Sequence, residues 1–260
     1  MYTKDELKKQ LEAMNIPHDA TLLIHSSMKA VGEIEGGAET LLDCLCEHLS
    51  DGLLVMPTHT WDTIDDQHNV FNPATEPSCV GILGMLLLKR EGAVRSLHPT
   101  HSVAAWGKDA AAFVAGEHFC ETPCARNGCM GKLLDRHGLI MFLGCPLTKN
   151  TFLHGVEEWC GIENRLGEPK VRFIVMPNGE QFMGTMRGHC APVPDVSQNY
   201  GKMEQPFLQL GAAEEYRLGD ARCVLCKCED MVRITSELLI ICPDLFLDNE
   251  PVSSELLGRL

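Results

Sequence analysis

"ATLLIHSSMKAVGEIEGGAETLLDCLCEHLSDGLLVMPTHTW", residues 20–61, reads as strand, loop, helix and strand. The run through Leu22, Leu23 and Ile24 is short, apolar and interrupted by polar residues, the pattern of a buried strand that ends in a loop. Leu41, Leu42, Leu45 and Leu49 follow at helical spacing, and "DGLLVMPTHTW" opens a second apolar run of strand length. Two strands joined through a helix make a βαβ-like beginning, and α/β is the expected class.

Outward from this stretch the pattern continues. "TKDELKKQLEAMNI" starts with Thr3 and Glu6 at capping-box spacing and carries Leu7, Leu11, Met14 and Ile16 toward one helical face. Residues 62–79 show no apolar period and predict an exposed loop; loops of that length in compact domains are usually functional or disordered. "VGILGMLLLKREG" predicts a helix, "SVAAWG" a short strand, and "MGKLLDRHG" with "LIMFLGC" a helix and strand pair. "KVRFIVMPNGEQFMGTMRGH" alternates on either side of Asn178–Gly179 and predicts an antiparallel hairpin. "DMVRITSELLIICPDLFL" predicts a closing helix that stops at Pro243. With no repeat, low-complexity tract or Pro/Ser linker, residues 1–260 are expected to form one domain, a mixed central sheet flanked by helices with long loops at one end.

The bulk numbers exclude several classes. A chain of 260 residues with 45% hydrophobic and 22% charged residues is neither disordered nor fibrous. No apolar run approaches the roughly 18 residues of a spanning helix, and residues 1–20 hold no apolar signal segment, so a cytoplasmic protein is expected. The 13 cysteines are odd in number and scattered, which predicts reduced thiols acting as small buried hydrophobes. A net charge of −14 repels nucleic acid and anionic membranes and favours a cationic partner.

Four constellations carry chemistry. In "NTFLHGVEEW", residues 150–159, Thr151 as N-cap puts His154 at the third helical position and Glu157 one turn later on the same face, with Glu158 off that line. A histidine bonded to a carboxylate through one ring nitrogen keeps the other free as a general base, although the same spacing also describes a solvated first turn. In residues 22–37, Ser26, Ser27, Lys29, Gly32, Gly36 and Gly37 form either a phosphate- or amide-binding loop or a plain tight connection, and match no nucleotide fingerprint. "RSLHPTHSVAAWG", residues 95–107, gathers Arg95, His98, His101 and Ser102 in a loop that can line a cleft, while Pro99 rules out a helical zinc pair. "CVLCKC", residues 223–228, is the most metal-like string, yet it lacks a second ligand pair, and Cys226 and Cys228 fit one face of a strand. No metal is expected.

Five ordered blocks, "LLIHSSMKAVGEIEGGAETLL", "GLLVMPTHTW", "RSLHPTHSVAAWG", "NTFLHGVEEW" and "RGHCAPVPD", resemble the antibiotic N-acetyltransferase family, best known from the aminoglycoside 3-N-acetyltransferases, over nearly the whole chain. The resemblance implies an antibiotic N-acetyltransferase fold, distinct from the GCN5-related enzymes, and acetyl-CoA as co-substrate. It implies that Ser26, Ser27, Met28, Lys29, Val31 and Gly32 border the pantetheine or pyrophosphate, and that Thr58, His98, Ser102 and Val103 flank the thioester. It further implies His154 as general base with Glu157 as its carboxylate, and Thr151 or a backbone N–H toward the oxyanion. The implied acceptor is the 3-amino group of a small cationic aminoglycoside, as in antibiotic resistance, with Asp62, Asp65, Asp66, Glu163 and Asp195 as candidate contacts. The alternatives are the same chemistry on a non-antibiotic amine, a metal-dependent hydrolase, or a noncatalytic binding protein. Oligomeric state stays open.

Overall fold

A computed structural model describes residues 1–260. Its helices are α1 (Lys4–Glu12), α2 (Met28–Val31), α3 (Gly37–His48), α4 (Leu83–Leu87), α5 (Ala110–Val114), α6 (Cys129–Asp135), α7 (Thr151–Trp159), α8 (Glu204–Gln209), α9 (Cys228–Ile241) and α10 (Ser254–Leu257). Its strands are β1 (Thr21–Ser26), β2 (Leu53–Pro57), β3 (Val70–Phe71), β4 (Val94–Arg95), β5 (Val103–Gly107), β6 (Leu139–Leu143), β7 (Leu166–Val175), β8 (Gln181–His189), β9 (Ala213–Leu218) and β10 (Ala221–Lys227). The capping box of α1 forms as expected, with Thr3 and Glu6 satisfying each other's backbone N–H groups.

β1, α3 and β2 build the predicted βαβ unit: β1 pairs in parallel with β2 and also with β6. The seven-stranded sheet runs β4-β5-β2-β1-β6-β10-β9, and its outer pairings are antiparallel. Buried on both faces, β1 alternates its apolar residues between two cores. Leu22 and Ile24 pack with α1, α3 and α4 on one side, and Leu23 joins the larger core with α5 to α9 on the other. No helix is long and apolar enough to cross a membrane.

Several elements differ from the expectations. Residues 62–79 are not a bare loop: β3 pairs in parallel with β7 in a separate sheet, β3-β7-β8, and Ile64 and Phe71 pack there with Ile174 and Met186. An isolated Val-Phe pair between polar residues has no period to reveal it. The helix expected around Leu83 is only five residues long; it lies so close on β2 that a Cβ at Gly84 would sit 2.5 Å from the carbonyl oxygen of Pro57. The strand through Cys226 ends at Lys227, so Cys228 opens α9 instead, although both thiols lie in the larger core. All 13 cysteines are free.

Candidate active site

The three parallel strands end at one edge of the sheet, where a cleft of about 1090 Å³ opens. β1 is followed by β2 on one side, while β6 on its other side is reached only much later, a switch of direction at which open α/β sheets bind ligands. Ser26 and Ser27 at the end of β1, Pro57 at the end of β2 with His59 just after it, and Gly144 and Cys145 after β6 line the cleft. The second sheet adds Lys170 and Arg172 from β7 and Arg187 and His189 from β8.

α7 brings Asn150, Thr151 and His154 to this cleft. Its N-cap is Asn150 rather than Thr151, so the helix begins one residue earlier than its sequence suggests. His154 Nδ1 lies 2.6 Å from the Tyr200 hydroxyl, which donates to Glu157 Oε2 at 2.5 Å. Glu157 Oε1 accepts from Arg165 Nε at 2.6 Å, and Glu157, Tyr200 and Arg165 are all buried. Glu157 therefore reaches His154 through Tyr200, not by the direct contact that the i, i+3 spacing suggested.

The direction of the protons follows from the chemistry of the groups. A carboxylate only accepts, so the Tyr200 proton points to Glu157 and the phenolic oxygen receives Nδ1–H of His154. That tautomer leaves Nε2 with its lone pair and no partner in the protein. Burial, then the neighbouring His189 and Arg165, pushes His154 well below the ordinary imidazole range, so it rests neutral and able to take a proton. Burial and the adjacent Glu157 hold the Tyr200 phenol protonated.

A second pair stands beside the first. The His189 ring stacks on His154 with centroids 4.0 Å apart and planes 17° from parallel. Its Nε2 lies 2.6 Å from Glu158 Oε1, while Thr122 donates to Glu158 Oε2 at 2.5 Å. His101 approaches His189 edge-on at 5.5 Å and His59 at 4.7 Å, so histidines from four separate segments meet here. Burial lowers every one of them, His189 to about 3, and lifts Glu158 to about 7. Only His154 and His101 among these four were marked in the sequence; His189 and Glu158 sit inside quoted blocks, but no local spacing joins residues 31 apart.

The other marked residues divide. Ser26 and Ser27 line the cleft, whereas Met28, Lys29, Val31 and Gly32 do not. Val31 and Gly32 instead pack against the β9–β10 turn, where the Val31 carbonyl accepts from Asp220 N and a Cβ on Gly32 would meet the Asp220 carboxylate. Thr58, His98, Ser102 and Val103 lie under the cleft, fully or almost fully buried. The residues that line it there are their loop neighbours His59, Thr100 and His101. Ser102 Oγ donates to the Thr58 carbonyl at 2.8 Å and receives Arg95 Nε at 3.1 Å. Arg95 also donates to the carbonyls of Thr58, Pro73 and Glu76, clamping the segment that leads into and out of β3.

Of the five acids proposed for a cationic acceptor, only Asp195 lines the cleft. Asp65 Oδ1 accepts from the backbone of Gln67 and His68, Asp66 is paired with Lys170 at 2.7 Å and Arg172 at 3.0 Å, and Asp62 and Glu163 are exposed away from it. The charged lining is Lys149, Lys170, Arg172 and Arg187 against Glu168 and Asp195. Despite a molecular charge of −14, the cleft is thus not anionic. Cys124, Glu158 and His189 place ligand atoms within 4.8 Å of one another, a triple that no sequence spacing assembled, and all three are already engaged in hydrogen bonds.

A neutral imidazole linked through Tyr200 to a buried carboxylate thus faces the cleft at the strand ends, an arrangement able to accept a proton from a bound group. Ser26, Ser27 and the unpaired Lys149 place hydroxyl and cationic donors in the same cleft. A family model described as aminoglycoside 3-N-acetyltransferase matches residues 23–240. The chain belongs to this family and is an acetyl-CoA-dependent acyltransferase. It is 25% identical to aminoglycoside N(3)-acetyltransferase III of Acinetobacter baumannii over 256 residues, 89% of each chain. Among solved structures it is similar to the aminoglycoside acetyltransferase AAC(3)-IVa apoenzyme, with a TM-score of 0.79 and 25% identity over 94% of this chain and 91% of the other. It shares the fold of AAC-IIIb in its binary complex with CoASH, with a TM-score of 0.80 and 21% identity over 92% and 96% of the two chains.

Proposed function

We propose that the chain transfers the acetyl group of acetyl-CoA to a primary amine, with His154 as general base held by Tyr200 and Glu157. The 3-amino group of an aminoglycoside is the acceptor to which the family points, and the resistance role follows from it. The observation that carries the mechanism is the ordered run His154–Tyr200–Glu157–Arg165, which leaves Nε2 of His154 as the one unsatisfied ring nitrogen of that chain of bonds, in the cleft. As the amine attacks the thioester carbonyl, Nε2 takes a proton from nitrogen, and Tyr200 with Glu157 stabilises the imidazolium. Thr151, in the first turn of α7, lines the cleft, where its hydroxyl and the positive helix end would stabilise a developing oxyanion. When the thiolate leaves, His154 returns the proton to sulfur.

The lining supports a second acceptor class alongside the first. Lys170 and Arg172 are held by Asp66, while Lys149 and Arg187 have no ion-pair partner and are available to an amine that also carries a carboxylate or phosphate. The test is CoA release from acetyl-CoA with gentamicin, tobramycin, kanamycin and apramycin beside an amino sugar phosphate and amino acids, for the wild type and His154→Ala. Antibiotic-dependent release that falls about 10²–10⁴-fold in the variant supports the aminoglycoside reading. Release confined to the anionic amines, and weakened by Arg187→Glu, replaces the antibiotic with the second class.

A further inference from the structure

The structure assigns a second proton-accepting pair to the cleft: His189 backed by Glu158 takes the first proton of the acceptor's ammonium form, and His154 takes the second. This rests on the acyltransferase reading above. A protonated primary amine must lose one proton before it can attack and another as the amide forms, so two acceptors at one nitrogen answer a need that a single imidazole does not.

The geometry that carries this is the parallel stacking of His154 and His189 at 4.0 Å, each ring backed by a different carboxylate from consecutive positions of α7. The two carboxylates are not equivalent. Glu157 has the Arg165 guanidinium at 2.6 Å and the Tyr200 hydroxyl, whereas Glu158 meets Thr122 Oγ1, the Cys124 backbone N and His189, with no arginine or lysine against it. Glu157 is thereby fixed in place by its ion pair and by the Tyr200 hydroxyl. Glu158, lifted by burial to about 7, is free to change state around neutrality. His189 Nδ1 has no partner in the protein and is not sealed from the cleft that its ring lines.

The protons balance. With Glu158 ionised, His189 Nε2–H donates to it and Nδ1 carries the lone pair. Nδ1 takes a proton from R–NH₃⁺ while the Nε2 proton passes to Glu158, leaving a free amine and a neutral imidazole. The nitrogen lone pair then forms the C–N bond, the second N–H proton goes to His154 Nε2, the C–S bond breaks and His154 protonates the departing sulfur. The proton left on Glu158 is the one net proton released to solvent. The groups that face His189 are His154 and Glu158 of α7, His101 with His98 and His59 behind it, and Cys124 and Thr122 of the loop before α6, while Arg187 and Cys190 lie within two residues of it in the chain.

The test pairs kcat/KM against pH with ¹⁵N NMR of the imidazoles for the wild type, Glu158→Gln, His189→Asn and His154→Ala. Glu158→Gln and His189→Asn are expected to lower kcat/KM at least about tenfold near neutrality, with the deficit fading at a pH where the acceptor amine is already unprotonated, or with an amine of low pKa. The His154→Ala deficit persists throughout. In the NMR titration His189 exchanges its proton position as Glu158 titrates between about pH 6 and 8, and Glu158→Gln abolishes that change. A deficit that is the same at every pH marks a structural role and overturns the pair, as does a His189 titration unaltered by Glu158→Gln. Stoichiometric zinc held by Cys124, Glu158 and His189 overturns it as well. No CoA release with any amine from a folded wild type sinks the acyltransferase reading itself, and the proposal with it.

Discussion

Tyr200 and Arg165 are the residues on which His154 depends most, and neither stands near it in sequence. Tyr200→Phe keeps the ring but removes the hydroxyl between His154 and Glu157, so Nδ1 loses its partner. A fall in kcat/KM of at least about tenfold is expected, smaller than the about 10²–10⁴-fold from losing the base, with KM for acetyl-CoA unchanged. An unaffected rate would show that the carboxylate does not act through this hydroxyl. Arg165→Met leaves Glu157, with no exposed surface, as an unpaired buried carboxylate. Removing one partner of a buried ion pair costs about 3–5 kcal/mol, and urea denaturation should show that loss recovered in large part by adding Glu157→Gln. The histidine and its carboxylate were legible at this scale because they lie one helical turn apart. Tyr200, Arg165 and His189 were not, since a local pattern holds no information about residues brought together by folding.

Among elements, the turn out of β6 is the tightest part of the cleft wall. Gly144 has φ +65°, and a Cβ there would lie 2.4 Å from Cβ of Ala30. Gly144→Ala combines a left-handed backbone penalty of about 1–2 kcal/mol with a clash against α2, and a lower denaturation midpoint is the check. The small sheet makes a separate prediction. Phe71, fully buried, anchors β3 against β7 beneath the clamp of Arg95, whose guanidinium lies 5.1 Å from the ring centroid. Phe71→Ala should free residues 62–79 to exchange amide hydrogens quickly and raise KM for the acceptor more than for acetyl-CoA. Equal protection in the variant would mean that Arg95 alone holds the segment. α1, the βαβ unit and the Asn178–Gly179 hairpin were legible because caps, periods and turn residues act locally. β3 was not, because two residues carry no period and its strand character comes from pairing with β7.

Across the whole molecule the buried histidines set the pH response. His25 is pushed down to about 4 and His98 and His189 to about 3 by burial, and His59, His101 and His154 are also lowered well below 6.5. Each binds its proton more readily in the unfolded chain, so its stabilisation is complete above about pH 6.5 and is lost as pH falls toward the folded value. Glu158, raised to about 7, works the opposite way: its contribution is present below the ordinary carboxylate range and fades as pH rises through about 7. Glu117, also raised by burial, works with Glu158, but six histidines outweigh two carboxylates, so the urea midpoint should fall from pH 7 to pH 4, and a flat profile would show that the histidines are already hydrated in the folded protein. The negative charge of the chain illustrates the same separation of scales. It predicted an anionic cleft, but charges distribute by fold, and those that line the cleft are mostly cations.

By itself the sequence determined the α/β class, the strand–helix–strand centre, the family and the histidine on its helix, because each depends on periodicity, caps or ordered blocks within short stretches. Only the tertiary structure decided which carboxylate serves which histidine, that Tyr200 carries the link, that neighbours of the marked residues line the cleft, and what charge an acceptor meets there. The physical reason is the same throughout. Hydrophobic period and capping are local and survive in one dimension, whereas a hydrogen-bond partner, a buried charge and the lining of a cavity exist only between segments that the folded sheet brings side by side.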